Sequence, residues 1–478
     1  MSFQTNFREL SQGAKRALSK TQIKKQLRNH LDCIVDVPDV LTTNLQLSVT
    51  QFRDTYLYQT VFDKYCELDI ESADLRREAC IEKYLACEML CRETNLRFRL
   101  GLYNGNLFHH LLMLTRQKIS EILGPWQEDY LYEGCGFGPG ASLSKKSPYL
   151  DTAFKFEGTP TTTVKLLRRV QDWVKPIWDR YQLVDTAKFT TVPKNAKIDR
   201  PIEIQADLCI FFQKSLGNII RRKMKGQPIG RGFSLDLNDQ GINRELARLG
   251  SISGDIATLD LSSASDLISY ELVNFLIEDA GWFDALLTTR MDYVSICEEP
   301  LEKFSAMGNG YTWELQSLIF YSMIWAVTQV NGGDSKVIAT FGDDIICRSS
   351  DSALLIDFLA YCGFRVNTKK SHWQGFFRES CGKHYYHGVD VSPFYVRGPL
   401  TYEHDIFKMH NRLFEWSVNL GFKDRRLLPI MDWLKSHSSL SELNIPYGVG
   451  DVGFISCGND FSARTPFYKG WRHDGYIF

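Results

Sequence analysis

"TFGDDIICRSS", residues 340–350, sets two carboxylates side by side between two apolar runs of strand length. The flanking pattern predicts a β-hairpin with Gly342, Asp343 and Asp344 at its tip. Two readings of that tip stand open. Gly and Asp are ordinary turn residues, so the pair can be a solvated hairpin end. Alternatively, Asp343 and Asp344 stand together because a divalent cation removes their repulsion.

The segments on either side bear on the choice. "SGDIATLDLSSASD" (253–266) alternates like a strand and ends in a small-residue loop. "MGNGYTWELQSLIFYSMIWAV" (307–327) is a glycine loop feeding a long buried helix. After the hairpin come an amphipathic helix, "SALLIDFLAYCGF", and a short strand, "RVNTKKS". Strand, helix, hairpin, helix, strand describes an α+β layer, with an antiparallel sheet packed on helices.

Two-metal phosphoryl transfer needs carboxylates from separate strands to converge on one point. Asp260, at a strand end 83 positions before Asp343, supplies one, and Asp344 completes the set directly or through water. Asp266 is placed to accept a hydrogen bond from a ribose 2′-OH, with Ala264 and Ser265 where a DNA-making enzyme would put a bulky aromatic. A helix N-cap is the plainer role for Asp266. Gly308 and Gly310 let backbone approach a template strand, and Thr312 and Gln316 share one helix face. In "VPKNAKIDRP", Lys194, Lys197 and Arg200 recur every third residue, as a triphosphate clamp or as a solvated loop. Lys370 is placed to act as general acid toward a leaving pyrophosphate. Lys369 is the alternative, and strand alternation would admit only one of the two. Cys381, His384 and His387 in "ESCGKHYYHG" have metal-like spacing but no fourth ligand nearby, so a structural hairpin is preferred to a zinc site.

Bulk properties fit such a molecule without requiring it. At 478 residues, two to four subdomains are expected. Hydrophobic content of 44% and charged content of 24% are globular values. The 12 cysteines lack paired short spacings, and Cys87 and Cys91 read as one buried helix face in a reducing compartment. The start has no apolar h-region, and the most lipid-like run, residues 317–327, is shorter than the roughly 20 residues a bilayer span needs. No membrane association is expected. Net charge is −1, yet Lys145 to Arg231 carries 18 Lys and Arg against 8 Asp and Glu. That segregated field can hold phosphates in one place and metal ions in another. The basic N-terminal stretch reads as a solvated amphipathic helix. The glycines at 134, 136, 138 and 140 make a weak dinucleotide fingerprint, because Pro139 interrupts it.

Seven segments, in order, resemble the catalytic β subunit of the replicases of single-stranded RNA bacteriophages, the leviviruses. They are "VPKNAKIDRPIEI", "LNDQGINRELARLGS", "ATLDLSSASD", "SAMGNGYTWELQSLIF", "FGDDII", "GFRVNTKKS" and "FRESCGKHYYHGVDVSPFYVRG". The resemblance covers roughly residues 135 to 400. It implies a right-hand RNA-directed RNA polymerase with fingers, palm and thumb. The expected division is an N-terminal helical region (1–100), fingers with the basic loop (101–255), palm (256–390), and thumb with the C-terminal region (391–478). By the same resemblance Asp260, Asp343 and Asp344 match the magnesium-binding acids, with two Mg²⁺ ions for which Mn²⁺ can substitute. Asp266 matches the ribose-sensing acid, and Lys194, Lys197 and Arg200 match the nucleotide-channel cations. Gln316 stands where broader RNA polymerases commonly have Asn, and Met307 where they often have Ser.

The implied partners are RNA template and product, NTPs, host elongation factors Tu and Ts, and in some members a ribosomal small-subunit protein. The implied location is the cytoplasm of the bacterial host, and the implied reaction starts without a primer at a C-rich 3′ end. Competing readings are a reverse transcriptase, a non-catalytic RNA-binding scaffold and a metal-dependent nuclease.

Overall fold

The computed structural model describes residues 13–42, 46–65, 70–103, 107–145, 152–194, 198–332, 337–421, 423–456, 472–473 and 476–477. Lys197 lies outside them. The chain forms two compact units. One draws on the chain up to Asp74 and again from His384 onward, and the other on most of what lies between.

In the first unit the two ends of the chain share a core. Helices Lys20–His30 and Val49–Thr60 each open on a capping box, Ser19 with Gln22 and Ser48 with Gln51, which satisfies backbone N–H groups at the helix start. Ile23 and Leu27 are buried on the first helix, which is amphipathic; the basic N-terminal stretch is not one helix, since Lys15 and Arg16 lie in a strand, Gly13–Leu18, and Arg8 lies outside the described residues. Ile23 and Leu27 pack with Ile406, Phe407, Leu413 and Ile430 from the C-terminal helices. The Arg53 guanidinium lies 3.5 Å from the Trp416 ring centroid, and Arg426 Nη1 bonds Asp54 Oδ2 at 2.6 Å.

The second unit carries the elements on which the site stands. They are helix α1 (Ile70–Arg99), strands β1 (Thr186–Pro193) and β2 (Asp199–Ile204), and helix α2 (Asp207–Met224). Next come strands β3 (Ile256–Leu259) and β4 (Leu261–Ser262), helix α3 (Thr312–Val330), hairpin strands β5 (Ala339–Phe341) and β6 (Asp344–Arg348), helix α4 (Ser352–Tyr361) and strand β7 (Arg365–Val366). The hairpin is present where the sequence places it. Phe341 pairs with Asp344 across the two-residue loop Gly342-Asp343, and Gly342 takes φ +67°, which suits a type II′ turn with glycine at its first central position.

The hairpin's inner strand β6 pairs antiparallel with β3, giving the order β5-β6-β3. In that register Ile345 faces Leu259 and Ile346 faces Thr258. Apolar side chains drive the sheet together: Ile256, Ala257, Leu259, Ile345, Ile346 and Cys347 are all buried. Helix α3 belongs to the same core, and 15 of its 19 residues are buried. The apolar run at 317–327 is therefore the centre of a protein core. No helix among the described residues is long and apolar enough to cross a membrane.

Two sequence readings need correcting. "RVNTKKS" is a strand only over Arg365–Val366, which pair with Ser262 and Leu261 of β4; Thr368 to Lys370 form a turn. The ladder carries one more bond, from Asn367 N–H to Asp260 O at 2.8 Å, and ends there because Asp260 N–H turns to Ser371 Oγ and Asn367 O accepts from Lys370 N–H. Strand alternation thus has no bearing on Lys369 and Lys370. Asp266 is not an N-cap: it lies inside the 3₁₀ turn Ala264–Leu267, whose N-cap is Ser263.

A candidate nucleotidyl-transfer site

A recess of about 420 Å³ opens at the end of the β5-β6-β3 sheet. Continuing the β3–β6 register by one pair sets Asp260 across from Asp344, beside the hairpin tip. Asp260 and Asp343 both line the recess, together with Asp266, Gly308, Thr312, Gln316, Lys194, Arg200 and Lys370. Residues scattered over nearly 200 positions therefore share one cavity.

Asp260 is firmly held. Asn367 Nδ2 donates to its Oδ2 at 3.0 Å, and its own backbone N–H donates to Ser371 Oγ at 3.0 Å. Burial raises its pKa, Asp343 and Glu379 add to the rise, and Lys370 and Asn367 oppose it. Asp344 is pushed up to about 7, first by burial and then by Asp343, Asp260 and Glu379. Its carboxylate accepts the backbone N–H of Cys381, and it is absent from the lining of the recess. The side-by-side acids of the opening motif thus differ, Asp343 exposed in the cavity and Asp344 withdrawn against Cys381.

Across from these acids stand cations. Lys194 has a lowered pKa, caused first by partial withdrawal from water and then by Arg200, Lys370 and Lys83. Lys194, Arg200, Lys370 and Lys83 all line the recess, an environment suited to a polyanion. Lys370 lines the cavity and Lys369 does not. Arg200 lies on strand β2, not in the turn, paired with Val192.

Helix α3 supplies the apolar wall and its polar exceptions. Thr312 Oγ1 donates to Ala306 O at 2.9 Å. Gln316 lines the recess but is largely buried, and its Oε1 has no hydrogen-bond partner among the described residues. The glycines before the helix do something other than the sequence suggests. A Cβ on Gly308, which has φ +116°, would sit 2.1 Å from Glu203 O, and one on Gly310 would sit 3.0 Å from Gln213 Cβ. The close approach these glycines allow is to the chain itself.

Three contributors went unnoticed in the sequence. Lys83, on α1, lines the recess with Cys80, Tyr84 and Cys87. Cys80, Tyr84, Cys87 and Cys91 form a buried stripe at helical spacing, which was the available signal that α1 packs inward here. Asn367 orients Asp260. Lys303, wholly buried, lies 3.5 Å from Asp266 Oδ1.

The Cys381/His384/His387 group does not assemble. His384 Nδ1 pairs with Tyr56 Oη at 2.8 Å, and burial followed by Asp344 pushes the Cys381 thiol up to about 12. Among the described residues, no three His, Cys, Asp or Glu side chains form a metal-holding group. The recess offers the carboxylate oxygens of Asp260 and Asp343, donors that fit a hard divalent ion such as Mg²⁺, which completes its shell with water and phosphate oxygens.

Comparison with known proteins bears on the identity of the chain. The model of the RNA replicase β-chain family matches residues 17–445. The RNA-directed RNA polymerase subunit beta of Qbeta virus (strain MX1) is 34% identical over 92% of this chain and 75% of its own length. That of Escherichia virus Qbeta is 37% identical over 88% and 72%, and that of Enterobacteria phage SP is 35% identical over 91% and 76%. Superposition on a solved RdRp complex reaches a TM-score of 0.37 at 11% identity, over 68% of this chain and 32% of the other, too slight to argue from. Matched by the family model along most of its length, the chain belongs to the RNA replicase β-chain family.

Proposed function

We propose that this replicase chain is the RNA-directed RNA polymerase of a single-stranded RNA phage, joining NTPs on an RNA template by two-metal nucleotidyl transfer. The observation that supports it best is the β3–β6 register, which sets Asp260 and the hairpin tip at one sheet end facing a cluster of cations. Asp260 and Asp343 hold the metal ions, with Asp344 behind them. The chemistry that Mg²⁺ supplies when bound is charge neutralisation at the α-phosphate and at the departing pyrophosphate. Lys194, Arg200 and Lys83 draw the triphosphate in and Lys370 gives a proton to the pyrophosphate, with Lys197 assigned to the same clamp from sequence. Asp266 accepts a hydrogen bond from the ribose 2′-OH, with Thr312 and Gln316 bordering the same pocket.

The functional partition follows: an N-terminal helical region over 1–100, fingers over 101–255, palm over 256–390, and thumb with the C-terminal region over 391–478. Host elongation factors Tu and Ts and a ribosomal small-subunit protein are the proposed partners, the bacterial cytoplasm the proposed location, and a C-rich 3′ end the proposed primer-free start.

The test uses the chain purified from a bacterial host with its co-purifying proteins, given an RNA template and either NTPs or dNTPs. Expected is RNA synthesis that stops on chelation and resumes with added Mg²⁺. Equal use of dNTPs would favour a reverse transcriptase. RNA binding with steep salt dependence and no Mg²⁺-dependent turnover would leave only a scaffold. In the same assay Lys83→Ala is expected to raise the KM for NTPs by roughly fivefold at low salt and less at high salt, because an exposed charge is screened.

A further inference from the structure

Behind the ribose-facing wall of the recess lies a buried charge cluster that the sequence does not announce. Lys303 has no exposed surface, and its Nζ lies 3.5 Å from Asp266 Oδ1 and 3.4 Å from Glu88 Oε1. The same ammonium sits 3.3 Å from the centroid of the Tyr84 ring. Tyr84 Oη in turn donates to Glu203 on β2. Burial alone would lower the Lys303 pKa, but Asp266, Glu88 and Glu203 outweigh it and hold it above the ordinary lysine value. The carboxylate of Asp266 receives no other hydrogen bond from the described residues, while Asp266 lines the recess that Lys303 itself does not reach. A lone buried ammonium is thus the one fixed partner, among the described residues, of a carboxylate whose other side faces the cavity.

Resting on the reading of Asp266 as the ribose acceptor, we infer that Lys303 is a positioning residue for sugar selection. It holds Asp266 aimed so that a 2′-OH gains a hydrogen bond that a 2′-deoxy sugar cannot make. A site built to bond a hydroxyl discriminates strongly against the analogue lacking it. That power falls when the acceptor turns aside, as a carboxylate that has lost its one fixed partner is free to do.

The Lys303 backbone is fixed independently of its side chain. Glu302 N–H donates to Glu88 Oε2 at 2.8 Å, Tyr270 N–H to Glu302 O at 3.0 Å, and Phe304 N–H to Ile268 O at 2.7 Å. Asn95 Nδ2 also bonds Glu302 O at 2.8 Å. The loop therefore has ties enough to survive loss of the ammonium.

The test compares kcat/KM for an NTP and its 2′-deoxy counterpart in the co-purified complex carrying Lys303→Met, Asp266→Asn or both. Lys303→Met is expected to lower the preference for NTP by roughly ten- to hundredfold, through a raised KM for NTP with dNTP use little changed. The double variant should discriminate no worse than Asp266→Asn alone, since two changes acting through one group do not add. Lys303→Arg, which keeps the charge, should recover part of the preference. If Asp266→Asn keeps full discrimination, the ribose reading itself fails. If Asp266→Asn loses it while Lys303→Met keeps it, or if NTP and dNTP rates fall together in Lys303→Met, only the role of Lys303 is overturned. Should Lys303→Met not fold, Lys303→Gln gives the same comparison with a neutral donor. Failure of both to fold assigns Lys303 to the core and sinks the proposal.

Discussion

Asp343→Asn is expected to lower NTP incorporation by about 10³-fold or more while leaving the fold intact, in keeping with several kcal/mol of metal-borne charge stabilisation lost at the reacting phosphate. The residue is exposed at a hairpin tip. Surface changes of that kind alter stability by about 0.5 kcal/mol or less. The sign is also predictable. Asp343 helps to raise the pKa of Asp344 from 3.8 to about 7, so in the folded, metal-free chain it works against ionisation of its neighbour. An acid whose folded pKa lies above its unfolded value adds stability below the unfolded pKa, and that contribution is lost as pH rises through the folded one. With chelator present, the parent chain should therefore lose stability between about pH 4 and pH 7, and Asp343→Asn should lose less. Melting curves across that range, beside incorporation assays in Mg²⁺, separate a metal role from a folding role. A variant that melts normally and still synthesises RNA at the parent rate would remove Asp343 from the chemistry.

What could be read in advance was what is local or nearly so. The hairpin was legible because Gly342 and the apolar runs on either side obey turn and strand rules that need no partner. The closeness of Asp260 and Asp343 was legible because strands joined through intervening helical chain commonly neighbour each other in one sheet. The remainder depends on contacts between distant segments. Lys303 in "PLEKFS" and Lys83 in "IEKYL" look like any solvated lysines, and only the packing of α1 beside the recess makes one a buried counter-ion and the other a pocket cation. Asn367 gave no sign that its Nδ2 would hold the Asp260 carboxylate. The shared core of the two chain ends was equally hidden, since Arg53 stacking on Trp416 joins positions 363 residues apart.

Gly308→Ala is expected to destabilise the chain by about 3–5 kcal/mol, among the largest effects of any single change here. Two independent costs meet at this position. The φ of +116° is a conformation that residues with a Cβ rarely adopt, and the added methyl would fall 2.1 Å from Glu203 O, 2.9 Å from its carbonyl carbon and 3.1 Å from its nitrogen. All three are backbone atoms of β2, which cannot swing aside as a side chain would. Glu203 N–H also donates to Met307 O at 2.8 Å, so relief of the clash requires breaking a bond that ties β2 to the loop before α3. The alternative role, a glycine kept small for a passing template strand, predicts something different: an Ala variant with an unchanged melting temperature and a selective rise in the KM for template. A denaturant melt of Gly308→Ala beside the parent chain decides between them. Because β2 carries Arg200 and the loop carries the approach to Thr312, a displaced contact here should also lower affinity for NTPs. A variant as stable as the parent would show that the loop yields where the geometry says it cannot.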